Sequence, residues 1–162
     1  MARRGTRYVF QDKRVFTRLT VRENIQLAAY AAGVPLAPAI DRVLQIRPNI
    51  ARFLDPPAGG LSGGQRQLLL IGRALVGEPR LLLIDEPTEG LAPVIVQALT
   101  QVLARLRSEG GLSIVLVEQN SRVALDFCER TMVMDRGQIV YDGPAERLRR
   151  DPETLASLIA AQ

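Results

Sequence analysis

The sequence predicts an α/β fold built on a parallel sheet. Residues 80–85 and 113–118 are short apolar runs with no polar alternation, the pattern of strands covered on both faces. A helical stretch opening at Pro93 lies between them, so the three read as a βαβ unit. Upstream, two sequences of the form S/T-x-x-E/Q mark helix starts. With 162 residues, 47% of them hydrophobic, the chain is long enough to bury a sizeable core and is not disordered in character.

The elements follow in order. Arg7 to Phe10 reads as a short strand running into Gln11 and a polar turn. Thr20-Val21-Arg22-Glu23 is a capping box opening a helix whose apolar face carries Ile25, Leu27, Ala28 and Ala31, and Gly33 and Pro35 end it. Residues 39–54 show helical spacing broken at Pro48, predicting two short helices. After the loop at 56–60, a long helix runs from Ser62 to about Val76, closed by Gly77 and Pro79.

The strand at 80–85 comes next, then a helix from Pro93 to Ser108 broken by Gly110-Gly111. The strand at 113–118 leads to a helix near 121–128. Thr131 to Met134 and Gln138 to Tyr141 flank Asp135-Arg136-Gly137, predicting a hairpin with glycine in the left-handed position. Residues 144–161 are helical. The first eighty residues form a mainly helical lobe, separate from the βαβ part.

Composition limits the function classes. The lone Cys128 cannot form an internal disulfide, and beside Leu125 and Phe127 it reads as a buried structural thiol in a reducing setting. No apolar run reaches the roughly 18 residues of a spanning helix, and the N-terminus has no signal-peptide core. A membrane link therefore runs through a partner. The net charge of +4 comes with one local excess, Arg3, Arg4, Arg7, Lys13, Arg14, Arg18 and Arg22 against Asp12. That cluster is a phosphate-binding surface, a patch facing another subunit, or a solvated face. Aromatics are only 4% and tryptophan is absent, which argues against a stacking platform for nucleic acid.

Two stretches carry chemistry. Ser62 and Gln65 stand in capping relation around Gly63 and Gly64, which places the two glycines in a first helical turn with unpaired backbone N–H groups. Such a turn attracts anions through its amides and through about half a positive charge of helix dipole. Asp85 and Glu86 end the apolar run Leu81-Leu82-Leu83-Ile84, where α/β sheets bind ligands, and alternation along a strand points them in opposite directions. Read alone, the first stretch is equally an ordinary capped helix, and the second a pair of caps or solvated loop acids.

Together, Leu61-Ser62-Gly63-Gly64-Gln65 and the Asp85-Glu86 strand resemble the ATP-binding subunits of ABC transporters, which have a P-loop NTPase-like fold. The resemblance covers Gln11 to Gly143 and matches least well from Arg42 to Pro57. It implies ATP and Mg²⁺ as cofactors, with Ser62, Gly63, Gly64 and Gln65 meeting the γ-phosphate of ATP held by a second subunit. Asp85 is implied to act on Mg²⁺ through water, Glu86 to polarise the attacking water, and Gln11 to touch both metal and water. Gln119 stands where most of the family has histidine; an amide can donate to a phosphate but cannot take a proton near neutral pH. Glu89-Gly90-Leu91-Ala92 occupies the loop that meets the opposite subunit.

The stretch from Asp85 to Pro93, with Val117-Glu118-Gln119-Asn120, resembles the subfamily for branched-chain amino acid uptake and its urea-type relatives. The implied organisation is residues 1–12 as strand and glutamine loop, 13–78 as helical subdomain, and 79–162 as the C-terminal part of the nucleotide-binding core. The implied partners are a second ATPase subunit and integral membrane permease subunits, with the chain on the cytoplasmic inner face of the membrane and no direct nucleic-acid partner.

No G-x-x-x-x-G-K-[S/T] loop occurs in the sequence, whose only lysine is Lys13. The chain thus looks like the back two-thirds of a subunit. Losing three charge-assisted hydrogen bonds at about 1.5–3 kcal/mol each implies at least thousandfold weaker nucleotide binding, and no ATP hydrolysis by the chain alone. In the resembled fold the strand before that loop lies beside Leu81–Asp85, which implies an exposed apolar edge there and poor solubility. Two other readings stand beside this one. One is a non-catalytic module lending Ser62 to Gln65 to a complete partner. The other is a DNA-repair or chromosome-organising ATPase, disfavoured by the absence of sustained heptads.

Overall fold

The structure, a computed structural model, describes residues 5–12, 14–46 and 48–160. Arg3, Arg4 and Lys13 of the basic cluster lie outside them. The chain divides into two units, Met1–Val117 and Glu118–Gln162.

The first unit opens with β1 (Thr6–Val9). α1 (Val21–Ala32) starts at Thr20, whose hydroxyl accepts from the Glu23 N–H while the Glu23 carboxylate accepts the Thr20 N–H at 2.7 Å. That is the capping box expected from the sequence. Left-handed Gly33 ends the helix. The buried stripe is Val21, Asn24, Ile25 and Ala29; Leu27 and Ala31, expected on the apolar face, are exposed because the stripe steps in fours from Val21. α2 (Leu36–Ile46) is one helix, and the second short helix expected beyond Pro48 is a 3-10 turn, Pro48–Phe53.

α3 (Gly63–Leu75) packs closely on α2: a Cβ on Gly72 would stand 3.0 Å from Val43 Cγ1. Val21, Ile25, Ala29, Val43, Ile50, Leu61 and Leu69 form one apolar cluster that joins the three helices. Each fully buried aliphatic side chain there contributes about 1.5–3 kcal/mol. The segment leading into α3 is fixed by backbone bonds to the entry of α1: Ala58 N–H donates to Leu19 O at 2.8 Å, and Gly59 N–H to Thr17 O at 2.9 Å.

β2 (Leu81–Asp85), α4 (Pro93–Ser108) and β3 (Ser113–Val117) complete the unit. The three strands form a parallel sheet in the order β1-β2-β3. β2 is therefore the central strand, and the exposed edge expected at Leu81–Asp85 does not exist: β1 pairs with one side and β3 with the other. The expectation that both faces are covered holds for one face only. Val9, Leu82 and Ile84 are buried, whereas Tyr8, Val115 and Val117 on the opposite face are 42%, 51% and 54% exposed. The described helices supply a layer for a single face.

In the second unit, α5 (Ser121–Phe127) is capped by Asn120, which accepts the Val123 N–H at 3.2 Å. β4 (Arg130–Asp135) and β5 (Gln138–Pro144) form an antiparallel hairpin. Its turn holds Arg136 as well as Gly137 at positive φ, as a type I′ turn requires. The expected C-terminal helix is two, α6 (Ala145–Arg150) and α7 (Pro152–Ala160), broken where Asp151 precedes proline. Leu125, Ala145 and Leu148 make the core. Cys128 is half-buried rather than buried.

Candidate functional site

The C-terminal ends of β1 and β2 bring five polar side chains of the first unit together. Tyr8 pairs in register with Leu83, so Asp85, two residues further on, is its diagonal neighbour on the same face. The Tyr8 hydroxyl donates to Asp85 Oδ2 at 2.9 Å. Just beyond β1, the Gln11 amide Nε2 donates to Glu86 Oε2 and to Glu89 Oε2, each at 3.1 Å. One amide thus bridges two carboxylates from the loop that follows β2.

Glu86 owes its direction to its backbone. β2 ends at Asp85, and Glu86 has φ of +42°, a left-handed conformation that costs a non-glycine residue on the order of 1–3 kcal/mol. Strand alternation, expected to point the two acids apart, therefore does not reach Glu86. The conformation is held by the Glu86 N–H donating to Val117 O at 2.9 Å and by the Glu89 N–H returning to Glu86 O at 3.3 Å. Thr88, within the same turn, is buried.

The start of α3 has the expected reciprocal cap: Ser62 N–H donates to Gln65 Oε1 at 2.8 Å and Gln65 N–H to Ser62 Oγ at 3.3 Å. Ser62 and Gly63 are exposed, and the Gly63 and Gly64 amides have no acceptor within the helix. The two glycines differ in purpose. A Cβ on Gly63 would meet only Leu91 Cδ2 at 4.0 Å, whereas one on Gly64 would fall 2.5 Å from Ile95 Cγ2. Gly64 therefore lets α3 approach α4, a packing reason for its lack of a side chain.

Gln119 is exposed and follows Glu118, the first residue of the second unit, ahead of Asn120. Two members of the strand-end cluster were not assigned to it from sequence: Tyr8, and Glu89, which was expected only in the loop that meets the opposite subunit. Tyr8 was available through its position three residues before Gln11 on a strand. Glu89 had no local signal, since its contact with Gln11 spans 78 positions. The Tyr8 hydroxyl is pushed above the ordinary tyrosine range, first by its hydrogen bond to Asp85 and then by desolvation and the Asp85 charge.

The family model for ABC transporters matches residues 1–89. The chain belongs to the ABC transporter family. It is 38% identical over 152 residues to the high-affinity branched-chain amino acid transport ATP-binding protein BraG of Pseudomonas aeruginosa, covering 93% of this chain and 65% of that protein. It is 36% identical over 145 residues to the LivF branched-chain amino acid transport ATP-binding protein of Archaeoglobus fulgidus, covering 89% and 61%. The chain thus spans less than two thirds of the length of either relative. The structure of cbiO1 from Clostridium perfringens, part of the ABC transporter complex cbiONQ, matches with a TM-score of 0.81 at 26% identity, covering 96% of this chain and 63% of that one. The fold is that of an ABC ATPase, P-loop NTPase-like, over the part this chain carries.

The residues fit the magnesium nucleotide of such ATPases. Among the described residues no group of three or more His, Cys, Asp or Glu is placed to hold a metal ion. Mg²⁺ takes one or two carboxylates and completes its shell with phosphates and water. Asp85 would be one such carboxylate, and helix-opening amides like those of α3 suit a phosphate.

Proposed function

We propose that this chain acts in the ATP-binding subunit of an ABC importer for branched-chain amino acids. The two relatives named for that transport support the solute class, as does Val117-Glu118-Gln119-Asn120. The observation that carries the reading is the Gln11 amide spanning Glu86 and Glu89, because it ties the segment entering the helical lobe to the loop bearing the acids.

In this reading Asp85, through water, and Gln11 would hold Mg²⁺, which would neutralise phosphate charge on bound ATP. Glu86, held in its left-handed turn, orients the attacking water and accepts a hydrogen bond from it, and Gln11 fixes the Glu86 carboxylate. Ser62, Gly63, Gly64 and Gln65 present a hydroxyl and helix-end amides to a terminal phosphate gripped by a neighbouring polypeptide. Gln119 offers an amide that can donate a hydrogen bond to a γ-phosphate. Partners are a second ATPase subunit and membrane permease subunits, with the chain peripheral on the cytoplasmic face. Among the described residues no single helix is long and apolar enough to cross a membrane.

The exposed, reciprocally capped start of α3 also supports a second reading, in which the chain only lends its α3 terminus to a complete subunit. One experiment separates the two. ATP turnover is measured after mixing the chain with a complete branched-chain amino acid ATPase subunit, for wild type, Ser62→Arg and Glu86→Gln. The subunit reading predicts no turnover by the chain alone and losses with both variants in the mixture. Loss with Ser62→Arg only supports the donor module, and equal turnover with all three overturns both.

A further inference from the structure

We infer that Tyr8 is a positioning residue, whose hydroxyl anchors Asp85 Oδ2 and leaves Oδ1 to a divalent cation. The inference rests on the proposed reading of Asp85 as the carboxylate on Mg²⁺ and adds a residue to it. The sheet register places Tyr8 on the same face as Asp85 and one diagonal step away, a span that only a long, rigid donor closes. The hydroxyl reaches Oδ2 at 2.9 Å. The ring is held from the side by Phe10, with centroids 4.3 Å apart and planes tilted by 53°.

Packing does not account for the hydroxyl. Tyr8 is 42% exposed, so phenylalanine would serve the sheet face equally well. What tyrosine adds is one donor aimed at a carboxylate that sits at the end of a strand with few other constraints. Partners of this kind fix a ligand's rotamer, and their removal costs about 10–100-fold in metal affinity.

The test uses the full chain. It contains three tyrosines and no tryptophan, so its near-ultraviolet spectrum reports tyrosine environments. Asp85→Asn is expected to shift that spectrum, and the same substitution made on top of Tyr8→Phe to shift nothing. Mn²⁺ alone, followed by water-proton relaxation, is expected to bind Tyr8→Phe at least about tenfold more weakly than wild type, and Asp85→Asn more weakly still. The Asp85→Asn spectrum needs no Tyr8 variant and decides the matter even where Tyr8→Phe folds poorly.

An unchanged spectrum in Asp85→Asn overturns the inference, as does Asp85-dependent Mn²⁺ binding untouched by Tyr8→Phe. Mn²⁺ held equally by wild type and Asp85→Asn, or by neither, overturns the assignment of Asp85 itself.

Discussion

Gly64 and Ile95 stand so close that a single added methyl on Gly64 would lie 2.5 Å from Ile95 Cγ2. Ile95 is β-branched and stiff at χ1, so α4 cannot yield by rotating that side chain alone. Gly64→Ala is therefore expected to lower stability by about 1–3 kcal/mol, the usual cost of overpacking. Gly63→Ala, whose methyl would meet only Leu91 at 4.0 Å, stays within about 1 kcal/mol of wild type. Urea unfolding of both variants checks the pair.

Gln11 joins Glu86 and Glu89 with one amide. Gln11→Glu sets a third carboxylate against the other two, whereas Gln11→Ala only removes the donor. In the mixed assay with a complete subunit, Gln11→Ala is expected to lower turnover about tenfold, equivalent to about 1.4 kcal/mol, and Gln11→Glu to lower it further. The order of the two variants is the readout.

Asn24 is wholly buried on α1, and its amide holds the turn before the helix. It accepts the Phe16 N–H at 3.0 Å and donates to Phe16 O at 3.0 Å and Thr20 O at 2.9 Å. Arg73, pushed below the usual arginine range by burial, reaches the same Asn24 oxygen at 3.4 Å. Asn24→Ala strands these groups and is expected to cost about 2–3 kcal/mol, read as a lower urea midpoint.

In the second unit, Asp142 is held below the usual carboxylate range chiefly by its hydrogen bonds with Arg130, at 2.6 and 2.8 Å. Asp151 is lowered first by the Thr154 hydroxyl and next by the Thr154 N–H. A depressed folded value adds stability above the unfolded value of about 4 and loses it as pH falls through the folded value. Asp142→Asn is therefore expected to be less stable than wild type at pH 7, with the gap closing below about pH 4. Urea midpoints of the full chain across that range check the sign.

Much of the fold was legible because local rules and tertiary packing agree. Both capping boxes formed as Thr20 and Ser62 predicted, and the three parallel strands fall within a residue or so of the apolar runs. The misses have physical causes. Leu27 is apolar yet sits off the stripe that Val21 begins, and Glu86 leaves the strand through a backbone conformation that residue type does not announce. Tyr8–Asp85 and Gln11–Glu89 depend on register between β1 and β2, strands so far apart in the chain that no local pattern announces their pairing.

The central claim is that the amides opening α3 face a terminal phosphate held by a neighbouring polypeptide. An ATP analogue carrying a photoreactive group on its γ-phosphate, loaded on a complete subunit and irradiated in the presence of this chain, tests it most directly. The account predicts label on residues 62–66 of this chain, dependent on the partner and lost in Ser62→Arg. Label confined to the partner, or labelling of 62–66 unaffected by Ser62→Arg, would contradict it.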